Sequence, residues 1–137
     1  MTFRKLGYWF ATGLVAFGFG ASGVMNLVRA PAVVAGATHL GYPGYLATIL
    51  GIWMPLAAVA LIVPGFARIK EWAYAGIVFH LTGAAFSHAA AGDPFAGAAP
   101  ALVLLALTVA SYVLRPASRR LAGGEQPAAD AGRLAPA

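Results

Sequence analysis

Hydrophobic positions along this chain gather into four long apolar segments separated by short Pro-Gly or charged breaks. The first runs from about Gly7 to Val28 (GYWFATGLVAFGFGASGVMNLV) and the second from about Gly44 to Val63 (GYLATILGIWMPLAAVALIV). The third runs from about Glu71 to Ala91 (EWAYAGIVFHLTGAAFSHAAA) and the fourth from about Phe95 to Leu114 (FAGAAPALVLLALTVASYVL). Each has about the 20 residues that a helix rising 1.5 Å per residue needs to cross a hydrocarbon core ~30 Å thick. The expected fold is all-α, a four-transmembrane-helix bundle occupying residues 1–121, followed by an Ala-, Gly- and Pro-rich tail over 122–137 expected to be disordered.

Punctuation supports these limits. The Pro-Gly pairs in LGYPGY (Leu40 to Tyr45) and VPGFAR (Val63 to Arg68) end and restart segments. Asp93-Pro94 reads as a helix N-cap followed by proline at the first helical position. Pro31 to Leu40 is too short to span and is expected to form an interfacial helix on the outer surface.

Basic residues give the orientation. Arg4 and Lys5 precede the first segment, Arg68 and Lys70 separate the second and third, and Arg115, Arg119 and Arg120 follow the fourth. In a four-span chain these groups share one side, so both termini are expected to be cytoplasmic. A cleavable signal ending near RAPA (residues 29 to 32) is the competing reading of the N-terminus. The first apolar stretch is longer than the ~7 to 15 residues of a signal core, and cleavage would upset the charge parity.

Composition narrows the chemistry. Of 137 residues, 61% are hydrophobic and 9% charged, against roughly 25% charged in a soluble domain, and mean hydropathy is +0.78. The net charge of +5 lies at segment edges rather than in one patch, so it reads as topology and not as nucleic-acid binding. No cysteine is present, which removes thiol nucleophiles, iron–sulfur ligation and disulfides. A haem between helices wants a histidine from each at similar depth, and His80 has no counterpart on another span. Walker and GxSxG patterns are lacking, and there is no flavin or metal signature.

Small residues on the first segment, Gly13, Ala16, Gly20 and Gly23, follow a spacing that places them on one face, where they would admit close helix approach. Gly18, Ser22 and Asn26 form a second stripe. Tyr8, Trp9, Trp72, Tyr74 and Tyr112 fall near the cytoplasmic ends and read as an aromatic belt.

The candidate site residues are the polar groups left inside. His80 is the deepest titratable group, near the expected bilayer centre, and either hydrogen-bonds a hydroxyl or carbonyl on another helix or serves a cavity. His80 and Trp53 are expected to line a ligand pocket, with Ser22, Asn26 and Ser87 offering hydrogen bonds. His80 and Glu71 are the candidate proton carriers, although Glu71 also fits a pairing with Arg68 or Lys70 at a helix start. His88, Asp93 and His39 form a candidate outer polar cluster.

The strings YWFATGLVAFGFGASGVMNLVRAP, LGYPGYLATILGIWMPL and LIVPGFARIKEWAYAGIVFHLTGAAFSHAAAGDP together resemble the DoxX-like family of small bacterial four-helix membrane proteins. The resemblance runs from about Tyr8 to Leu114. It implies a multi-pass protein of the bacterial inner membrane, with relatives linked to thiosulfate oxidation with quinone as acceptor, to redox complexes, or to assembly of other membrane proteins. Relatives often carry a lysine directly after the mid-helix tryptophan, where this chain has Met54 after Trp53.

The leading expectation is a redox-associated, quinone-linked membrane subunit that binds a lipophilic ligand in the bundle. The alternatives are a non-catalytic, chaperone-like assembly partner, and a membrane enzyme acting on a lipophilic molecule by acid–base chemistry. Expected partners are membrane lipids, another membrane or redox subunit, or further copies of the chain, and not nucleic acid.

Overall fold

The computed structural model describes residues 1–122, so the expected disordered tail lies, apart from Ala122, outside the described residues. The described chain is all-α. Its helices are α1 (Phe3–Leu27), α2 (Pro31–His39), α3 (Leu46–Ile62), α4 (Ala67–Ala90) and α5 (Phe95–Leu114), followed by a 3-10 turn at Ala117–Arg119. The four apolar segments correspond to α1, α3, α4 and α5. Two of them, α1 and α5, are long and apolar enough to cross a membrane by length and composition. At 17 residues α3 is apolar but shorter. At 24 residues α4 is long enough, but it carries Arg68, Lys70, Glu71 and two histidines. The short α2 begins with Pro31 at its first turn and buries none of its side chains.

The core runs where α1, α3 and α4 meet, with Val15, Ala16 and Phe19 against Met54, Ala58 and Leu61, and Tyr74, Ile77 and Leu81 closing the third side. α1 packs along α3 on one flank and α5 on the other, α4 leans on α5, and of these four seams between long helices the α3–α4 one is the loosest. The α1–α3 contact is close because two glycines allow it. A Cβ on Gly51 would sit 2.5 Å from the Leu27 nitrogen, and one on Gly23 would sit 2.4 Å from Pro55 Cδ. Of the small-residue face expected on α1, Gly13 and Gly20 face open space. The other stripe contributes Gly18, which makes room for Leu104 of α5.

The far end of α3 is held by side chains rather than by a turn. A helix leaves its last four carbonyls without intrahelical partners. Val59 O is taken by the Val63 amide at 3.0 Å. Ala60 O accepts from Lys70 Nζ at 2.6 Å, and the same ammonium donates to Val63 O. Leu61 O and Ile62 O accept from the two terminal nitrogens of Arg119, at 2.8 and 2.9 Å. Two cations therefore meet the negative end of the α3 dipole, and both are buried, Lys70 to 1% exposure. By sequence these residues mark topology; in the structure they are structural caps. Arg119 reaches α3 because the chain after α5 folds back beneath the bundle, where its guanidinium also lies 4.5 Å over the Trp9 ring.

Two expectations follow, both read by unfolding in mixed detergent micelles. Gly51→Ala destabilises the fold by about 1–3 kcal/mol through overpacking, while Gly20→Ala changes it little; equal effects would contradict the close α1–α3 approach. Arg119→Met, which uncovers two carbonyls, costs about 1–3 kcal/mol for each buried group left unmatched. Arg68→Met, at an exposed position, is near neutral.

Candidate functional site

The loose α3–α4 seam opens into a cleft of about 390 Å³. Trp53, Met54 and Leu50 of α3, Trp72, Ile77 and His80 of α4, and Phe19 of α1 line it. Its walls are almost wholly apolar. Trp53 and Trp72 are 66% and 71% exposed, so the cleft opens sideways onto the outer surface of the bundle. His80 is half-buried at its edge, with its ring edge-on to Phe19 at 5.5 Å between centroids. No hydroxyl or carbonyl among the described residues hydrogen-bonds it. An imidazole carries one donor and one acceptor in its neutral form, and here both remain available to a molecule in the cleft.

The structure brings His80 and Trp53 together but not the three polar residues expected to share their pocket. Asn26 is buried and spends its amide on Ser22 O, one turn back in α1, at 2.8 Å. Ser22 is exposed. Ser87 donates to Gly83 O at 2.8 Å and meets Tyr42 OH at 2.6 Å, which ties α4 to the loop before α3. None of the three lines the cleft. For Ser87 the cause is depth: it lies on nearly the same face of α4 as His80 but two turns further along, about 10 Å of helical rise away, where it meets Tyr42.

At one end of the bundle His39, His88 and Asp93 meet. Asp93 Oδ1 lies 2.7 Å from His39 Nε2, and Oδ2 lies 2.7 Å from His88 Nδ1. An ionised carboxylate only accepts, so each of these ring nitrogens carries its proton and donates. The backbone sets this up. After α4, the Asp93 amide bonds His88 O at 3.0 Å and the Gly92 amide bonds Ala89 O at 3.1 Å, a Schellman turn through Gly92 at φ 76°. That turn folds Asp93 back over His88, and Gly97, where a Cβ would sit 3.0 Å from His88 Nδ1, leaves room for the ring. The N-cap role expected for Asp93 is not taken up. α5 starts at Phe95 with Pro94 as its cap residue and no side-chain cap bond, because the carboxylate is already committed to the two histidines. Those hydrogen bonds, His88 first and then His39, hold the Asp93 carboxyl below its ordinary 3.8.

At the opposite end Glu71 pairs with neither Arg68 nor Lys70. Arg115 Nη1 donates to its Oε1 at 2.7 Å and Tyr112 OH to its Oε2 at 3.0 Å. Arg115 also lies 3.9 Å over the Tyr112 ring. Glu71 faces α5, on a separate groove of about 290 Å³ that His80 does not border. The two candidate proton carriers are therefore apart, and one of them is locked in an ion pair.

Sequence reading missed a hydroxyl relay beside this pair. Ser111 Oγ lies 2.7 Å from Thr12 Oγ1 and 2.6 Å from Tyr74 OH, all buried. Tyr8, fully buried, accepts from Arg119 at 3.3 Å. Tyr8 and Tyr74 thus belong to the interior rather than to an interfacial belt. The available signal was the spacing: Tyr8 and Thr12, like Ser111 and Arg115, lie one helical turn apart, so each pair shares a face.

A family model described as the DoxX-like family matches residues 10–111. No curated protein and no solved structure matches the chain.

The cluster of His39, His88 and Asp93 generates a pH dependence. A carboxyl whose folded pKa is depressed stabilises the fold above its unfolded pKa, and that contribution is lost as pH falls through the folded value. Asp93→Asn should therefore lower the thermal midpoint at neutral pH, and the gap to the parent should close in acid below the ordinary carboxylate range. A gap independent of pH would show that the carboxylate charge is not what the histidines hold.

Proposed function

Because the chain belongs to the DoxX-like family, we propose that it is a four-span protein of the bacterial inner membrane, a redox-associated subunit that holds a quinone-like lipophilic molecule in the α3–α4 cleft. The observation that carries this reading is His80: a half-buried imidazole with no hydrogen-bond partner among the described residues, set at the edge of an otherwise apolar cleft. An intramembrane ionisable group of this kind is a functional candidate by default. Its ring N–H suits a carbonyl oxygen of a flat, apolar head group, and the exposed Trp53 and Trp72 offer faces on which such a ring can lie.

Four spans with both termini cytoplasmic are supported by surface and charge. All four long helices expose large apolar side chains, including Phe10 and Phe17, Ile52 and Trp53, Phe79 and Phe86, and Val103 and Val109. Trp72, Phe79 and Phe86 recur every seven residues on one face of α4, so even the most polar of the four helices carries an apolar outer stripe. Contacts among Arg4, Lys70, Arg115, Arg119 and Arg120 gather these cations at one end, away from His39, His88 and Asp93. That is the asymmetry expected when one end is cytoplasmic.

A second reading, an assembly partner for another membrane protein, draws on Gly13 and Gly20, where an added Cβ would meet nothing within 4 Å among the described residues. Acid–base catalysis by the chain alone has less support, because His80 and Glu71 border different grooves.

A short-chain quinone should quench the tryptophan fluorescence of the purified protein, and His80→Phe should weaken that binding about tenfold through loss of one buried hydrogen bond. Unchanged affinity in His80→Phe, or quenching that persists when Trp53 and Trp72 are both phenylalanine, would remove the cleft as the site.

A further inference from the structure

At the cytoplasmic end, two arginines from opposite ends of the chain converge on one atom. Arg4, in the first turn of α1, donates to Val113 O at 3.2 Å, and Arg120, beyond the 3-10 turn, donates to the same oxygen at 3.1 Å. Their Nη atoms are therefore no further apart than the sum of those two distances. Two guanidiniums so close repel each other, screened but not cancelled by solvent, and together they favour an anion beside them.

Within the described chain no carboxylate does so. Glu71 is held by Arg115 and Tyr112, and Asp93 is held at the other end by His39 and His88. Each guanidinium has five N–H donors. Arg4 uses one group on Val113 O, and Arg120 uses its Nε on Arg115 O at 2.9 Å and one Nη on Val113 O. The remaining donors have no protein partner among the described residues, and both side chains are exposed.

We propose that Arg4 and Arg120 form a clamp for the phosphate of an anionic phospholipid at the cytoplasmic end of the α1–α5 seam. Paired guanidiniums match phosphate oxygens in both charge and geometry, and basic pockets at the cytoplasmic ends of membrane helices hold anionic head groups. The source is a lipid rather than free phosphate because α1 and α5, the two helices the arginines bridge, present exposed apolar side chains, Phe10 and Val113 among them. These give acyl chains a surface beside the head group. The bound phosphate would join the N-terminal turn, the end of α5 and the returning C-terminal segment, and so would stabilise the fold.

This clamp rests on the proposed membrane topology but is independent of any ligand at His80, which lies in a different groove. The test uses the full chain in a neutral detergent, with phosphatidylglycerol, phosphatidylcholine or inorganic phosphate added. Phosphatidylglycerol should raise the thermal midpoint and persist as an adduct in native mass spectra, and the other two should do neither. Arg4→Gln and Arg120→Gln should each weaken the phosphatidylglycerol effect about fivefold, as expected for one cation at a charged membrane surface. The double variant should abolish it, while Arg68→Gln, which removes a charge elsewhere, should leave most of it. Circular dichroism without lipid reports whether each variant is folded, and the two single variants keep the test decisive if the double variant is not. Equal effects of the two lipids, an effect of inorganic phosphate alone, or full retention in the single variants would overturn the clamp.

Discussion

Three carbonyl oxygens at the end of α3, with a fourth just beyond it, set the terms for the rest of the bundle. Ala60 O, Leu61 O and Ile62 O have no helical partner, and Val63 O follows them in the turn. Leaving such groups unmatched in an apolar setting is expensive. The chain matches them with Lys70 from the start of α4 and Arg119 from the segment after α5. One requirement thus fixes three things: where α4 begins relative to α3, why the chain returns beneath the bundle after α5, and why two cations are buried without a carboxylate on them. Arg119 also touches Tyr8 and Trp9, so α1 is drawn into the same joint.

With the base of α3 pinned and its upper part held to α1 by the Gly51 and Gly23 contacts, the seam between α3 and α4 is what remains loose. The cleft forms there. The carboxylates at the two ends of the bundle are committed: Glu71 to Arg115 and Tyr112, and Asp93 to two histidines. His80 differs: among the described residues this half-buried titratable side chain has no hydrogen-bond partner. That contrast between paired carboxylates at the ends and an unpaired imidazole between them is the physical basis for placing a ligand at His80.

Much of this was legible in the sequence where one periodicity or one residue type decides the matter. Continuous apolar runs gave the four long helices, the Pro-Gly pairs gave their breaks, and the shared strings pointed to the DoxX-like family. The meeting of His39, His88 and Asp93 was within reach because all three fall at the ends of α2 and α4 or in the break after α4. Rotation about helix axes was not legible. Whether Asn26 and Ser22 of α1 face the His80 cleft depends on how helices roll against one another, and the glycine contacts that fix the roll, Gly51 on Leu27 and Gly23 on Pro55, are pairings across helices that spacing in one helix cannot reveal. The capping roles of Lys70 and Arg119 were hidden for a related reason: a cation at a segment edge looks the same whether it points to water or folds back onto a helix end.

The central claim is that the α3–α4 cleft holds a lipophilic small molecule through His80. Native mass spectrometry of the protein extracted gently from its own membrane tests it most directly. The account predicts a chain carrying one small lipophilic molecule with a polar, quinone-like head, lost on mild activation. A chain that carries only phospholipid, or one that emerges bound to a stoichiometric protein partner with the cleft empty, would contradict it.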